Sequence, residues 1–253
     1  MLMKKAIDLN CDMGEGCDTD ALIMPYISSA NIACGVHAGD VQSMHRTIKL
    51  AMENQVALGA HPSYPDREGF GRKAMNLSSN DIFNLVKEQI ITINTIVEFL
   101  GGKLHHVKPH GALYNRAAKD YDVALAIAKA VVAINPDLIL YGLPNSASEK
   151  AALDQQLKFY AEVFADRTYT DEGMLTPRSE TNAMIDSTKD LLDQVLRMIN
   201  DGLVISTAGK SIPIKANTIC IHGDGKHAVE FAKTINEGLL KHNIKISSDE
   251  QNI

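Results

Sequence analysis

Short apolar segments alternate along the chain with longer segments of helical periodicity. Each short segment ends in a polar or glycine-containing turn, which is typical of strands in an α/β protein. Seven strands are predicted in this way, at residues 6–12, 31–36, 56–60, 104–107, 138–143, 159–164 and 218–221.

Five longer segments are predicted as helices, at residues 41–54, 81–100, 120–135, 187–200 and 226–242. The segment 81–100 carries the clearest i, i+3, i+4 spacing of apolar residues. Either Ser78 or Ser79 can cap its start, and Gly101 and Gly102 end it. Five of the seven predicted strands are therefore followed by a predicted helix.

This alternation favours a parallel sheet with crossover helices. Seven strands can form either a β/α barrel that lacks one unit or an open, doubly wound sheet. No linker, charge block or low-complexity stretch divides the chain. We predict an irregular seven-stranded parallel β/α barrel as a single domain over residues 1–253.

Composition narrows the class of protein. Of the 253 residues, 45% are hydrophobic and 22% are charged, with a net charge of −6 and scattered basic residues, so nucleic acid is not expected as a partner. No apolar run approaches the roughly 20 residues that span a bilayer. The N-terminal residues do not resemble a signal peptide, and the four cysteines form no CxxC pair. These features favour a cytoplasmic protein.

Titratable residues collect where the predicted strands end. Period-2 alternation places Asp8, Asn10 and Asp12 on one face of the first strand. The carboxyl ends of strands form the active-site face of β/α barrels, and a packed core does not require polar residues there. The later strands bring further titratable residues to this face, which predicts an enzyme: His37, His61, Lys108, His110, Glu162, Asp166, Arg167, His222 and Asp224.

Several of these residues also have a structural interpretation. Asp8 fits a partnered, buried carboxylate at the bottom of the barrel as well as it fits a functional role. Asp40 precedes a helix and is better explained as its N-cap, whereas Asp224 fits a cap or a site residue equally. The cysteines within strands are better explained as small buried residues than as nucleophiles: Cys11, Cys34 and Cys220.

Two segments, His61-Pro62 and Lys108-Pro109-His110, are harder to explain by structure alone. Each proline ends its strand and restricts the residue before it. A lysine facing inward at a strand end needs a carboxylate or an anionic ligand, because burying its charge alone is costly. Arg178 lies in a long loop and could clamp an anion, although a surface role is nearly as well supported.

A metal site could also be formed by Asp12, His37 and His61, which offer mixed nitrogen and oxygen donors. No predicted helix carries a histidine pair with the i, i+4 spacing of a zinc-binding helix, however. The predicted site therefore contains no metal ligand.

Seven sequence blocks resemble the LamB/YcsF family, in order and over nearly the whole chain. They are DLNCDMGE at 8–15, SANIACGVHAGD at 29–40, GAHP at 59–62, GFGR at 69–72, VKPHGALYN at 107–115, EVFADR at 162–167 and HGD at 222–224. The resemblance implies a seven-stranded barrel similar to the glycoside hydrolase/deacetylase superfamily. It also implies ATP-dependent opening of the lactam 5-oxoproline to glutamate, together with subunits B and C of a 5-oxoprolinase.

This activity suggests roles for the residues. Lys108 and Arg178 would bind phosphoryl or carboxylate oxygens, and His61, His110 or Asp12 would act as general base. Asp166 and Asp224 would orient cations or hold the Mg²⁺ that accompanies ATP. The remaining residues predicted to bind substrate or ATP are Asn10, Asn31, His37, Arg167 and His222.

Two other functions fit the same residues. The first is a metal-dependent deacetylase of sugars or small amides, suggested by fold analogy alone. The second is a non-catalytic subunit that binds substrate or supports partner subunits.

Overall fold

The computed structural model describes residues 5–223, 225 and 227–249. Its strands are β1 (Ala6–Met13), β2 (Ser29–Ala33), β3 (Ala57–His61), β4 (Leu104–Val107), β5 (Ile139–Gly142), β6 (Lys158–Phe164), β7 (Leu203–Ile205), β8 (Ser211–Pro213), β9 (Thr218–Ile221) and β10 (Lys245–Ile246). Its helices are α1 (Asp20–Ile23), α2 (Val41–Glu53), α3 (Ser79–Phe99), α4 (Gly111–Ala117), α5 (Tyr121–Ile134), α6 (Ala147–Asp154), α7 (Thr188–Asn200) and α8 (Ala228–Lys241), with a 3₁₀ turn at Met24–Tyr26.

Seven parallel strands close into a barrel in the order β1, β2, β3, β4, β5, β6 and β9, and β9 pairs back with β1. The predicted barrel is confirmed, and the open doubly wound sheet is excluded by the β9–β1 pairing. Strand β10 pairs with the first residues of β1, and β7 and β8 form a separate antiparallel hairpin. Within the described residues, none of the helices has the length and apolar character needed to cross a bilayer.

The outer helices are amphipathic and pack against the barrel. Helix α3 buries Ile82, Val86, Ile90, Ile93 and Val97, which are apolar positions on one side of the helix. Its N-cap is Ser78, whose side chain accepts a hydrogen bond from the backbone N–H of Asp81. Asp40 caps α2 through a reciprocal capping box with Ser43, as predicted.

The structure corrects the boundaries of some predicted elements. Strand β2 begins at Ser29 and ends at Ala33, so the predicted strand residues 34–36 lie in a loop. The chain turns there because Gly35 adopts φ of +82°, a conformation that ends a strand. Helices α4 and α6 and the hairpin β7–β8 were not predicted. All are short and give little periodic signal in the sequence.

The lower barrel interior is polar and hydrogen-bonded around Asp8. Four hydroxyl groups donate to its carboxylate, at 2.6 Å from Ser28, 2.7 Å from Ser29, 2.9 Å from Tyr141 and 2.6 Å from Thr218. The structural interpretation of Asp8 as a partnered buried carboxylate is thereby confirmed. Asp8 joins β1 to the neighbouring elements and takes no part in the cavity above.

Candidate active site

A cavity of about 500 Å³ opens at the carboxyl ends of the barrel strands. Its polar floor and walls include Asp12, Glu15, His61, Lys108 and His110. Cations and apolar side chains share the remaining wall: Arg72, Lys119, Arg167, Arg178, Leu143, Phe164, Met174 and Leu175. This volume suits a small molecule or part of a nucleotide.

Lys108 lies at the floor of the cavity and holds two acidic groups together. Its ammonium is 2.9 Å from Asp12 Oδ1 and 2.8 Å from Glu162 Oε1, and its side chain is only 3% exposed. Burial alone would lower the pKa of Lys108, but the carboxylates of Asp12 and Glu162 hold it well above the usual range. Lys108 is therefore a fixed positive charge.

Asn10 and Asn31 lie below the floor rather than along the cavity wall. Asn31 donates from its side-chain amide to Asn10 Oδ1 and to Asp12 Oδ1, each at 2.8 Å. Asn10 in turn accepts from the Lys108 ammonium at 3.3 Å. Both were predicted to bind substrate or ATP. The structure instead places them where they orient Asp12 and Lys108.

A second cluster is formed by residues at the carboxyl ends of the first four strands. His61 ends β3, and the other three residues follow β1, β2 and β4. The carboxylate of Glu15 lies 3.0 Å from His37 Nε2 and 3.2 Å from His110 Nδ1. His61 Nε2 lies 2.9 Å from His110 Nδ1 and 3.4 Å from Asp12 Oδ2. We refer to Glu15, His37, His61 and His110 as the histidine cluster. Their ligand atoms all lie within 4.8 Å of one another.

The charge states within the histidine cluster differ. Burial lowers the pKa of His37 and of His110 to about 3 in each case, assisted by the neighbouring His61. Burial acts in the same direction on His61, but the carboxylate of Asp12 outweighs it and raises the pKa of His61. Burial would raise the pKa of Asp12, but His61 and Lys108 hold it well below its usual range.

His222 and Asp166 form a pair on the cavity wall that carries Phe164. His222 Nδ1 lies 2.9 Å from both carboxylate oxygens of Asp166, and its ring stacks on Phe164. Burial would raise the pKa of Asp166, but His222 lowers it below the ordinary value. Asp166 stays ionised and fixes the imidazole with Nδ1 toward the carboxylate. Nε2 is then the ring nitrogen left to act on a molecule in the cavity.

Arg167 and Arg178 have separate roles. Arg167 is buried and donates from its guanidinium to the backbone carbonyls of Thr176 and Ala183. These two residues flank the part of the long loop that carries the exposed Arg178 to the cavity rim. Arg167 thus shapes the loop, and Arg178 lies exposed at the cavity rim.

The structure brings most of the predicted residues to one face of the barrel. Asp12, His61, Lys108, His110, Arg167, Arg178 and His222 line the cavity. His37 and Asp166 stand directly behind cavity residues, whereas Asn10 and Asn31 lie beneath them. Asp224, predicted to bind substrate or magnesium, lies outside the described residues.

Two acidic residues complete the site. Glu162 was predicted to lie on the active-site face without an assigned role, and Glu15 was not predicted to be a site residue. Glu162 is fully buried within β6 and pairs with Lys108. Glu15 follows β1 in a turn where Gly14 and Gly16 both adopt positive φ, which folds its side chain toward the histidines. The inward-facing lysine was a signal for Glu162, because a buried ammonium needs good partners. Nothing in the sequence pattern gave the direction of the Glu15 turn.

This arrangement offers a fixed ammonium, exposed cations at the rim and a histidine–aspartate pair around one cavity. Such a cavity can bind an anionic molecule, and His222 can accept a proton from water or from the bound molecule. The thiol of Cys220, 3.1 Å from the Lys108 ammonium, does not contribute a nucleophile, because burial raises its pKa well above the usual range.

Known relatives share most of the length of the chain. The sequence profile of the LamB/YcsF family matches residues 7–252. A protein of Bacillus cereus (strain B4264), named as the A component of 5-oxoprolinase, is 49% identical over 91% of this chain and 94% of its own length. A relative with the same name from Brevibacillus brevis is 48% identical over 96% of this chain and 98% of its own.

Solved structures resemble the chain at two levels. The lactam utilization protein of Thermus thermophilus superposes with a TM-score of 0.92 at 37% identity and covers 96% of this chain and 100% of its own. The peptidoglycan deacetylase PdaC of Bacillus subtilis, at 14% identity and a TM-score of 0.51 over 97% of this chain and 88% of its own, shares the fold alone. The sequence match, the identity and the shared barrel together show that the chain belongs to the LamB/YcsF family.

Proposed function

We propose that the chain is the A component of an ATP-dependent 5-oxoprolinase, and that its cavity hosts the opening of 5-oxo-L-proline to L-glutamate. The observation that carries this proposal is the cavity itself, where Lys108 is fixed by Asp12 and Glu162 beneath a cationic rim. Both 5-oxoproline, through its carboxylate, and ATP, through its phosphates, are anions that such a cavity attracts. The names of the relatives support the same substrate.

The need for ATP follows from the chemistry of the ring. Amide resonance makes the carbonyl carbon of an unstrained lactam a poor electrophile. Transfer of the γ-phosphoryl group to the lactam oxygen removes this resonance and releases ADP. One water then adds to the ring carbon and the ring C–N bond breaks, giving an acyl phosphate, which a second water converts to glutamate and phosphate.

Within this sequence of steps, His222 is the residue best placed to act as general base. Asp166 holds its Nδ1 side, so a proton from attacking water would be taken at Nε2. This assignment differs from the predicted base, which was His61, His110 or Asp12. His61 contacts both Asp12 and His110, and the two histidines also contact Glu15, whereas His222 stands apart on the cavity wall.

Binding of the anions is assigned to the cations at the rim, Arg178 among them, with Mg²⁺ accompanying the ATP phosphates. Lys108, predicted to bind an anion, is instead held by Asp12 and Glu162. The proposed partners are subunits B and C of the 5-oxoprolinase, since the relatives are named as one lettered component of that enzyme. We place the complex in the cytoplasm, where ATP is available and where buried thiols such as those of Cys11, Cys34 and Cys220 stay reduced.

The test is release of phosphate and glutamate from ATP and 5-oxoproline, with the purified chain alone and then with subunits B and C added. We expect equal amounts of the two products, and only when all three subunits are present. Phosphate release that does not depend on 5-oxoproline, or glutamate formed without ATP, would refute the proposal. Equal turnover by the two partners without this chain would remove it from the reaction.

A further inference from the structure

Each of the three imidazoles in the histidine cluster turns one ring nitrogen toward a common centre. The partners of the other ring nitrogens, which point away from this centre, show where the protons lie. His61 Nδ1 lies 2.7 Å from the backbone carbonyl of Lys108, and His110 Nε2 lies 2.9 Å from that of Phe70. A carbonyl oxygen can only accept, so both of these nitrogens carry the proton.

The outward nitrogen of His37 is fixed in the same way by a hydroxyl group. Its Nδ1 lies 2.8 Å from Ser63 Oγ, and this hydroxyl donates its proton to the carbonyl of Tyr64 at 3.0 Å. The hydroxyl therefore accepts from His37. In its neutral form, each of the three imidazoles thus turns an unprotonated nitrogen toward the centre, where the carboxylate of Glu15 also lies.

The four inward ligand atoms lie as close together as the donor atoms of a metal site, all within 4.8 Å of one another. His61 Nε2 and His110 Nδ1 lie 2.9 Å apart, and the Glu15 oxygen lies 3.0–3.8 Å from the three nitrogens. One proton can bridge only one of these contacts. In a tetrahedral zinc site, metal–ligand distances of about 2.0–2.1 Å place neighbouring donor atoms about 3.3 Å apart, which is close to this spacing.

We propose that Glu15, His37, His61 and His110 bind one divalent d-block cation of the zinc type. Three imidazoles and one carboxylate form a donor set that suits Zn²⁺ and not the oxygen-preferring Mg²⁺ or Ca²⁺. The Lys108 and Phe70 carbonyls and the Ser63 hydroxyl are the outer partners that fix ring tautomers in metal sites. The sequence suggested Asp12, His37 and His61 as candidate metal ligands. The proposed site keeps the two histidines and has Glu15 and His110 in place of Asp12, because Asp12 Oδ1 is paired with Lys108.

The site opens to the cavity, because Glu15, His61 and His110 all line it. A cation held there would attract a carboxylate or phosphoryl oxygen of a molecule in the cavity. The inference stands apart from the proposed function, because metal binding is measured without substrate and without partner subunits.

The test is the zinc content and zinc affinity of the full-length chain. After treatment with a chelator, the chain is titrated with Zn²⁺, and separately with Co²⁺ to record the visible absorption of nitrogen-ligated cobalt. We expect one tightly bound ion per chain. The variants His110→Gln and Glu15→Gln should each weaken zinc binding more than the ~10–100-fold typical of outer-shell changes. His45→Gln, a histidine on α2 remote from the cavity, should leave it unchanged.

Ser63→Ala provides a second test that leaves all four ligands in place. Loss of the hydroxyl frees the His37 tautomer, and the zinc dissociation constant should rise by ~10–100-fold. Circular dichroism of each metal-free variant establishes that it is folded. Zinc bound at well below one ion per chain by the folded wild-type chain, or binding equally strong in His110→Gln, would overturn the proposal.

Discussion

Individual side chains at the cavity floor contact one another and are largely shielded from solvent. Lys108 is balanced by Asp12 and Glu162, and Asn10 and Asn31 hold the same group from below. Removing one member of such a buried set leaves the opposite charge without compensation. Replacing Lys108 should therefore change the stability of the fold as well as the binding of any ligand.

The variant Lys108→Met should lower the free energy of unfolding by about 3–5 kcal/mol, because it leaves two carboxylates buried without their cation. The double variant Lys108→Met/Glu162→Gln should recover part of this loss, since one uncompensated charge is removed. Urea denaturation measures both. Lys103→Met, which alters an exposed lysine, is the control and should stay within about 0.5 kcal/mol of wild type. A Lys108→Met chain as stable as the control would show that the three groups are not coupled.

At the scale of elements, the positions where helices begin and strands end are the ones that local sequence determines most clearly. Helix α3 begins after Ser78, whose side chain bonds to the backbone of Asp81, whereas Ser79 is its first helical residue. The sequence allowed either serine as the cap. The structure separates them, because Ser78 has the extended backbone of an N-cap and Ser79 lies within the helix.

Ser78→Ala should therefore lower the free energy of unfolding by about 1 kcal/mol, the usual cost of losing an N-cap. Ser79→Ala is the matched control. It should be neutral or slightly stabilising, because Ser79 is exposed and alanine favours the helix. Thermal or urea unfolding of the two variants side by side tests this. Equal losses in both would contradict the assigned helix start.

Much of the element order and part of the site follow from the sequence, for identifiable reasons. Strands β1 and β9 and helix α3 show strong alternation or periodicity, and Lys108 carries a charge that a barrel interior must neutralise. The end of β2 and the inward turn of Glu15 depend on glycines with positive φ, whose direction is set by tertiary contacts. Arg167 lines the cavity as predicted from sequence, but only the structure shows that its guanidinium also binds the carbonyls of Thr176 and Ala183.

At the scale of the whole molecule, the barrel has a structural lower half and a chemical upper half. The lower half centres on Asp8, which links β1 with Ser29 of β2, Tyr141 of β5 and Thr218 of β9. The upper half carries the cavity at the carboxyl ends of the strands. A substitution in the lower half should thus change stability and leave ligand binding in the upper half largely intact.

Asp8→Asn tests this division. The amide cannot accept from all four hydroxyl donors, so the free energy of unfolding should fall by at least about 1.5–3 kcal/mol, the contribution of hydrogen bonds to a charged group. Zinc binding by the folded variant should be unchanged. Asp137→Asn, at an exposed aspartate, is the control for stability. Loss of zinc binding in a folded Asp8→Asn chain would contradict the separation of the two halves.

Whether ring opening takes place in this cavity is measured most directly by glutamate formation in the complex reconstituted with subunits B and C, with this chain as the only variable. We predict that Asp166→Asn slows turnover by ~10²–10⁴-fold, because His222 loses the carboxylate that orients it as general base. Asp186→Asn, in the same long loop, should turn over like wild type. Full activity of a folded Asp166→Asn chain in the assembled complex would contradict the account.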